Sequence, residues 1–327
     1  HQTEGALPIH SFRRVFPGSI CRSPDLAAHL AATRYELVHH HALWLRTLHY
    51  AHRASSRSIP LVISPRGMMS PWAWAHHRWR KDLARRLIHP GALTAAAGWH
   101  ATSAAEADDI RRLGFKQPVC IAPNSVSIPS ADEISHARQH WENLCPEVTG
   151  RRVALFYSRF HRKKRLLELI DLWQAKPRDD WLLLVVGIPE EYSLADLAAH
   201  ASHHGPASRI RFFAGENHPP PYAVASLFIL PSHSENFGLV IGEAMAHGLP
   251  VMVTDTTPWQ AVNDRQCGWC LPWENFAGVL AGILGESAAG LQTRGERARQ
   301  WIATEFSWQK SARLLVDFYR QLQEGRP

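Results

Sequence analysis

The stretch Ser232-His-Ser-Glu235-Asn-Phe-Gly238-Leu-Val-Ile-Gly-Glu243-Ala-Met-Ala-His247-Gly248-Leu-Pro250-Val-Met-Val-Thr-Asp255 decides the fold. The apolar run before it, Leu227 to Leu230, reads as a strand entering a polar turn. From about Leu239 to His247 the spacing is helical. Gly248 suits a helix C-cap, and Pro250 opens a second strand, Val251 to Val253. Strand, turn, helix, strand is a unit of a parallel α/β sheet. The first N–H groups of such a helix have no partner within it and form an anion site. Glu235 stands before the helix and Glu243 just over one turn inside it. Carboxylates repel phosphate, so they suit hydroxyl-bearing groups on either side of the anion. A nucleotide-sugar, with ribose, diphosphate and sugar in sequence, has that layout.

Glu235 and Glu243, with seven residues between them, resemble the paired-glutamate motif of retaining GT-B glycosyltransferases of family 4, also called glycosyltransferase group 1. The setting is similar as well: Pro231-Ser232-x-x-Glu235-x-Phe237-Gly238-Leu239 before, and Glu243-Ala-Met-Ala-x-Gly248-x-Pro250-Val251 after. Two glutamates at that spacing also fit an ordinary strand–helix unit with solvated carboxylates; the whole run carries the resemblance. It implies an α/β protein of GT-B fold, with two doubly wound Rossmann-like domains facing a cleft.

Outward from this motif, strands and helices alternate. Val153–Tyr157, Trp181–Val186 and Ile210–Phe213 read as strands, and Leu166–Gln174 and Leu194–His203 as helices. In the first half, Glu36 to His39 and Ile59 to Ser64 read as strands around a helical stretch, Leu45 to Arg57. Trp72 to Leu93 is a basic, Trp-rich helical stretch. Ala97–Thr102 reads as a strand before a helix, Ala104 to Leu113, where Ser103 and Glu106 form a capping-box pattern. Val119 to Asn124 is a further strand and turn. Residues 127–150 are polar and proline-containing and read as the interdomain linker. The expected domains are 1–145, an acceptor-side Rossmann-like domain, and 146–308, a nucleotide-sugar domain. Residues 309–327 are expected to form a helix that crosses back to the first domain, as the resemblance implies. The leading strand, glycine-rich turn and helix of the family are not found, so the first domain is expected to be incomplete.

Composition bounds the function classes. The 327 residues suffice for two α/β domains. No apolar run approaches the ~20 residues of a membrane span, and no secretory signal is visible. The five cysteines are odd in number and scattered, which argues against a disulfide framework. Cys267-Gly-Trp-Cys270 lacks the further ligands of a zinc site and reads as two incidental thiols. The net charge of +7 lies mainly in the first half. Arg46 to Arg86 holds nine basic residues against one acid, Asp82. This segment is a solvated basic face or a surface for anionic lipid or a phosphate-bearing acceptor. No nucleic-acid-binding pattern accompanies it.

Charge on a departing diphosphate is met by a metal or by basic groups and amides. The chain has no Asp-x-Asp motif, and no metal or other cofactor is expected. Phe156-Tyr-Ser-Arg159-Phe-His-Arg-Lys-Lys164-Arg-Leu resembles the family's Gly-Arg-x-x-x-x-Lys element, with Ser158 and Arg165 in place of glycines. The resemblance implies that Arg159 and Lys164 grip the donor diphosphate and that Arg165 adds charge beside it. The amides of Asn236, Phe237, Gly238, Leu239 and Val240 would hold sugar and phosphate oxygens. Glu243 matches the ribose-binding glutamate and Glu235 the one on the transferred sugar. Phe213 and Gly215 lie in the segment resembling the base-binding edge.

Val38-His-His-His41-Ala-Leu-Trp44 resembles the family's Val-His-x-His-Gly-Leu-Trp, which places His41 on the histidine near the reacting carbon. From the residues alone it is also open to a metal or a structural reading; His39 and His41 share a strand face. Ser64-Pro-Arg66-Gly67-Met-Met-Ser-Pro-Trp72 resembles the polysaccharide-assembling subgroup and implies Arg66 and Gly67 on the acceptor side, with Arg66 also open to the phosphates or to strand-end carbonyls.

The expected function is retaining, metal-independent transfer of a sugar from a UDP- or GDP-linked donor. The expected acceptor is a saccharide or lipid-linked saccharide of bacterial surface-polysaccharide assembly. An anionic membrane surface is an expected partner and nucleic acid is not. The expected location is cytoplasmic, peripheral on the inner face of the plasma membrane. The alternative is a catalytically idle nucleotide-binding or scaffold protein of the same fold.

Overall fold

Short apolar runs with helices between them give two parallel sheets, each the centre of one unit. A computed structural model describes residues 2–4, 7–55, 59–175, 179–203 and 209–324. The chain divides into one unit of His1–Pro123 with Ser311–Pro327, and a second of Asn124–Lys310.

The first unit opens with an antiparallel hairpin, β1 (Gln2–Glu4) and β2 (Leu7–Ile9). Helix α1 (Pro24–Ala32) follows, capped by Ser23. Strands β3 (Val38–His41), β4 (Leu61–Ser64), β5 (Gly98–Ala101) and β6 (Val119–Ile121) then pair in parallel, in that order. This uninterrupted progression is one half of a doubly wound sheet. Helices α2 (Arg46–Ser55) and α5 (Ala104–Arg112) bury Leu48 and Ile110 against Leu61, Ile63 and Trp99. The Arg57 end predicted for α2 lies outside the described residues.

The stretch expected as one helix over Trp72–Leu93 is broken. It forms α3 (Pro71–Ala75), α4 (Arg78–Leu83) and a π-helical turn over Ala84–Ile88. The break is at His77, with φ +52°. The Lys81 ammonium folds back on the carbonyls of Ala73 and His76 and satisfies the frayed end of α3.

The second unit begins with α6 (Ala131–Leu144), within the segment expected as a linker. A full capping box, Ser130 with Glu133, starts it. Only Ala137 and Trp141 are buried on it, so its sequence reads polar throughout. Trp141 lies edge to face with Phe213 and donates to the Pro219 carbonyl (2.8 Å). That anchor groups residues 124–145 with the second unit, where the sequence reading put the boundary at 145/146.

Strands β7 (Arg152–Tyr157), β8 (Trp181–Gly187), β9 (Ile210–Ala214), β10 (Leu227–Leu230), β11 (Val251–Thr254) and β12 (Gly268–Leu271) form an all-parallel sheet. The order is β12-β11-β10-β7-β8-β9. The run reverses between β7 and β10, which makes the carboxyl ends of those two strands a topological switch point, where open α/β sheets bind ligands. The helices are α7 (Leu166–Ala175), α8 (Leu194–His203), α9 (Leu239–Ala246), α10 (Ala261–Asp264), α11 (Trp273–Ile283) and α12 (Ala288–Glu305). The last helix, α13 (Trp308–Glu324), groups with the first unit from Ser311 onward, burying Phe318 against Gly98 of β5. Cys267 and Cys270 are buried free thiols bonded to the Val262 and Thr254 carbonyls, and burial pushes both up to about 11.

Candidate active site

Two loops meet at the switch point of the second unit. The β7 loop turns at Ser158, whose carbonyl passes so close to Gly187 that a Cβ there would stand 1.7 Å from it. It continues into a 3-10 turn, Arg162–Lys164, before α7. The β10 loop returns along it, and the His233 N–H donates to the Lys163 carbonyl (2.8 Å).

This brings Lys164 and Glu235, seventy-one positions apart, into a buried ion pair. Their side chains are 9% and 11% exposed. Glu235 also accepts from the Ser232 hydroxyl (2.7 Å), and the Ser232 carbonyl accepts from Thr254 and Thr256. The pair is therefore held from β7, β10 and β11 together.

Helix α9 starts at Gly238, with φ +74°; a Cβ there would press within 2.8 Å of Ile241. No side chain caps it. The amides of Leu239 and Val240, in its first turn, are not used inside the helix. Phe237 is buried against Trp259 and Phe306, and its carbonyl accepts from the Trp259 indole. Its side chain therefore anchors the turn.

One turn in, Glu243 accepts a hydrogen bond from the Tyr222 hydroxyl (2.8 Å). Burial and the Glu243 charge hold the Tyr222 phenol well above its usual range, so it remains a donor. Tyr157, at the end of β7, meets Tyr222 edge to face, and Gly215 lies beside Tyr157 and Gly187. Thus Gly215, Glu243, Lys164, Glu235 and the start of α9 gather at one end of the sheet.

Three residues expected around the donor make contacts of their own in this structure. Arg159 is not drawn to Lys164; it is exposed and forms a two-toothed pair with Glu190 (2.9 Å to each oxygen). Arg165 sits at φ +50° with its guanidinium over the Trp273 ring (4.7 Å) and its buried Nε without a hydrogen-bond partner among the described residues. Phe213 is pinned by Trp141. Tyr222, Tyr157 and Ser232 were not singled out from sequence. Tyr222 follows three prolines in a short 3-10 turn and has no local signal.

In the first unit the histidine run splits by strand alternation. His40 bonds the Ala42 carbonyl and Thr47, while His39 and His41 stack with ring centroids 4.4 Å apart. Hydrogen-bond direction fixes the tautomers. His100 Nε2 faces the Ala122 carbonyl (2.8 Å), which can only accept, so its Nδ1 accepts from Ser64 (2.7 Å). The Ser64 oxygen then accepts from His39 Nε2 (2.6 Å), and His39 Nδ1 accepts from the Tyr319 hydroxyl (2.5 Å). Arg66 donates to His41 Nδ1 through Nη2 (2.9 Å) and Nε (3.2 Å), leaving His41 Nε2–H as a donor at the strand end. Burial and neighbouring positive charge push His39 down to about 2 and His41 to about 4, so both stay neutral. His39, with both ring nitrogens engaged, has none left for a metal.

The Gly67 N–H is engaged inside the first unit, donating to Glu106 (2.6 Å). The same carboxylate accepts from the Thr102 amide (2.7 Å) and hydroxyl (2.8 Å). Ser103 caps α5, but Glu106 ties the β4 turn to β5 and does not complete the expected capping box.

Comparison with known proteins follows the same division. Residues 139–300 match the model "Glycosyl transferases group 1", and residues 3–125 match "Glycosyl transferase 4-like domain". The chain belongs to the group 1 glycosyltransferase family. A curated relative, a D-inositol 3-phosphate glycosyltransferase of Saccharomonospora viridis, is 31% identical over 140 residues. That match covers 41% of this chain and 32% of the relative, so the chain spans about a third of its length. Among solved structures, Anabaena HepE in complex with UDP-glucose aligns at TM-score 0.71 and 22% identity, over 97% of this chain and 85% of that one. WaaG, a glycosyltransferase involved in lipopolysaccharide biosynthesis, aligns at TM-score 0.63 and 17% identity, over 90% and 94%. These likenesses establish the GT-B fold.

Proposed function

We propose that this group 1 glycosyltransferase moves a sugar from a UDP- or GDP-linked donor to a saccharide or lipid-linked saccharide, with retention and without a metal. The observation that carries the reading is the buried Lys164–Glu235 pair beside the uncapped start of α9 and the Tyr222-oriented Glu243. In this reading Glu243 takes the ribose hydroxyls. The α9 amides and Lys164 take the diphosphate, with Arg159 recruited from its exposed pair with Glu190. Glu235 orients the sugar, and His41 offers its Nε2–H to a sugar hydroxyl. The bond from the anomeric carbon to the phosphate oxygen breaks, and the acceptor oxygen bonds to that carbon on the same face. The acceptor's proton passes to the departing phosphate. The complex of HepE with UDP-glucose and the role of WaaG in lipopolysaccharide biosynthesis favour this donor class and a surface-polysaccharide product.

The reading includes a bilayer partner. Trp79, Leu83 and Leu87 recur every fourth residue and are 65%, 49% and 64% exposed, with Arg78, Arg80, Arg85 and Arg86 among them. Trp74 packs inward on Trp44. An exposed apolar stripe edged by arginine suits an anionic membrane surface, at the inner face of the plasma membrane in this reading.

Incubation with UDP- and GDP-sugars should release free sugar and nucleoside diphosphate in the presence of EDTA. Abolition by EDTA with rescue by Mn²⁺ would overturn the metal-independent step. A protein that binds nucleotide but releases no sugar, with or without acceptor extracts, would be the idle binding protein instead. Sedimentation with anionic vesicles, weakening as salt rises, tests the bilayer partner; equal recovery with neutral vesicles would remove it.

A further inference from the structure

A cavity of about 270 Å³ lies in the first unit, where the π-helical turn leads into Gly91. Asp82, Arg85, Arg86, His89 and Thr94 line it. His89 is 1% exposed, and among the described residues neither ring nitrogen finds a hydrogen-bond partner beyond its own backbone. Buried polar groups almost always have one, so a ligand or a water is expected at this imidazole. The charge of the wall indicates its sign. Arg86 forms no hydrogen bond or ion pair among the described residues. Among the described residues Arg85 forms no hydrogen bond or ion pair; its guanidinium lies over the Trp74 ring, 6.0 Å from the centroid. Arg46 comes close from α2, donating to the Leu87 and Ile88 carbonyls (3.1 and 2.8 Å). Asp82 is the one acid on the wall, and the Thr94 hydroxyl is spent on the Gly91 carbonyl.

We propose that this cavity is a phosphate-ester site, taking a terminal phosphate or diphosphate on Arg85, Arg86 and a His89 N–H. At ~30 Å³ per water its volume equals about nine waters, enough for a diphosphate. Its arginines fall between Leu83 and Leu87 of the exposed stripe, so the phosphate of an anionic lipid would enter it from a bilayer; a soluble phosphate ester would enter from water. The site does not depend on the glycosyl-transfer reading.

Calorimetric titration of the full chain with inorganic pyrophosphate tests it, in the absence and presence of saturating UDP. The expected result is a binding event that survives UDP and weakens at least tenfold in Arg86→Gln, an exposed substitution, and in His89→Gln. UDP affinity should not change in either variant. Loss of pyrophosphate binding on adding UDP, or binding indifferent to Arg86→Gln, would overturn the site and leave His89 to water. If UDP itself fails to bind, the transfer reading falls while the Arg86-dependent event still stands. Vesicles separate the two sources. Preference for phosphatidate over phosphatidylglycerol in vesicles matched for surface charge, lost in Arg86→Gln, assigns the lipid. Pyrophosphate binding without that preference assigns a soluble ester.

Discussion

Glu243 accepts from Tyr222 through one carboxylate oxygen, and the proposed reading assigns the other to the ribose. Glu243→Ala should therefore weaken UDP binding as well as turnover. A hydrogen bond to a charged group contributes about 1.5–3 kcal/mol, or about ten- to 150-fold in affinity. Unchanged UDP affinity with collapsed turnover would refute the ribose assignment. Lys164 differs, because its partner is buried too. Lys164→Ala leaves Glu235 uncompensated and should cost about 3–5 kcal/mol of stability in a denaturant melt, along with activity. Adding Glu235→Gln should restore much of the stability and none of the activity. Both glutamates were legible in the sequence because turn, spacing and helix start are local. Tyr222, which aims one of them, was not, because it arrives from a proline-rich turn twenty-one positions away.

At the scale of elements, α6 shows how a helix escapes a pattern reading. Its capping box is strong, but only Ala137 and Trp141 are buried on it, so periodicity is faint. The consequence is measurable. Trp141→Ala removes a fully buried indole and should destabilise the second unit by about 3–5 kcal/mol. It should also loosen Phe213 and weaken UDP binding; a melt within 1 kcal/mol of the parent would show that α6 is the linker its composition suggested. Helix α13 is tied through Tyr319 to His39, then Ser64 and His100. Tyr319→Phe removes the donor to His39 Nδ1. Nitrogen-15 spectra of labelled histidines should then show His39 mixing tautomers while His41, held by Arg66, keeps Nε2–H. A single His39 tautomer in the variant would refute the ordered chain.

Across the whole molecule, titration should separate the two units. Burial, chiefly, lowers His39 to about 2 and His40 and His89 to about 4 in the first unit. Each is neutral when folded and takes up a proton on unfolding once the pH is below its ordinary value near 6.5. Their stabilising share is complete above about pH 6.5 and falls as the pH drops toward 4, so acid should open the first unit early. Hydrogen exchange between pH 7 and 4.5 checks this; loss of protection beginning in the second unit would contradict it.

The sequence by itself determined the strand–helix alternation, the parallel class of both sheets, and the Glu235–Glu243 motif. Each rests on apolar periodicity, cap chemistry and turn residues that act within a few positions. Tertiary structure alone decided that Lys164 meets Glu235, that Arg165 turns to Trp273, that Gly67 serves Glu106, and that the Arg46–Arg86 segment breaks at His77 to leave an arginine-lined cavity. These depend on which strand ends the sheet order brings side by side and which long side chains find a partner there. No local window of the chain contains that information.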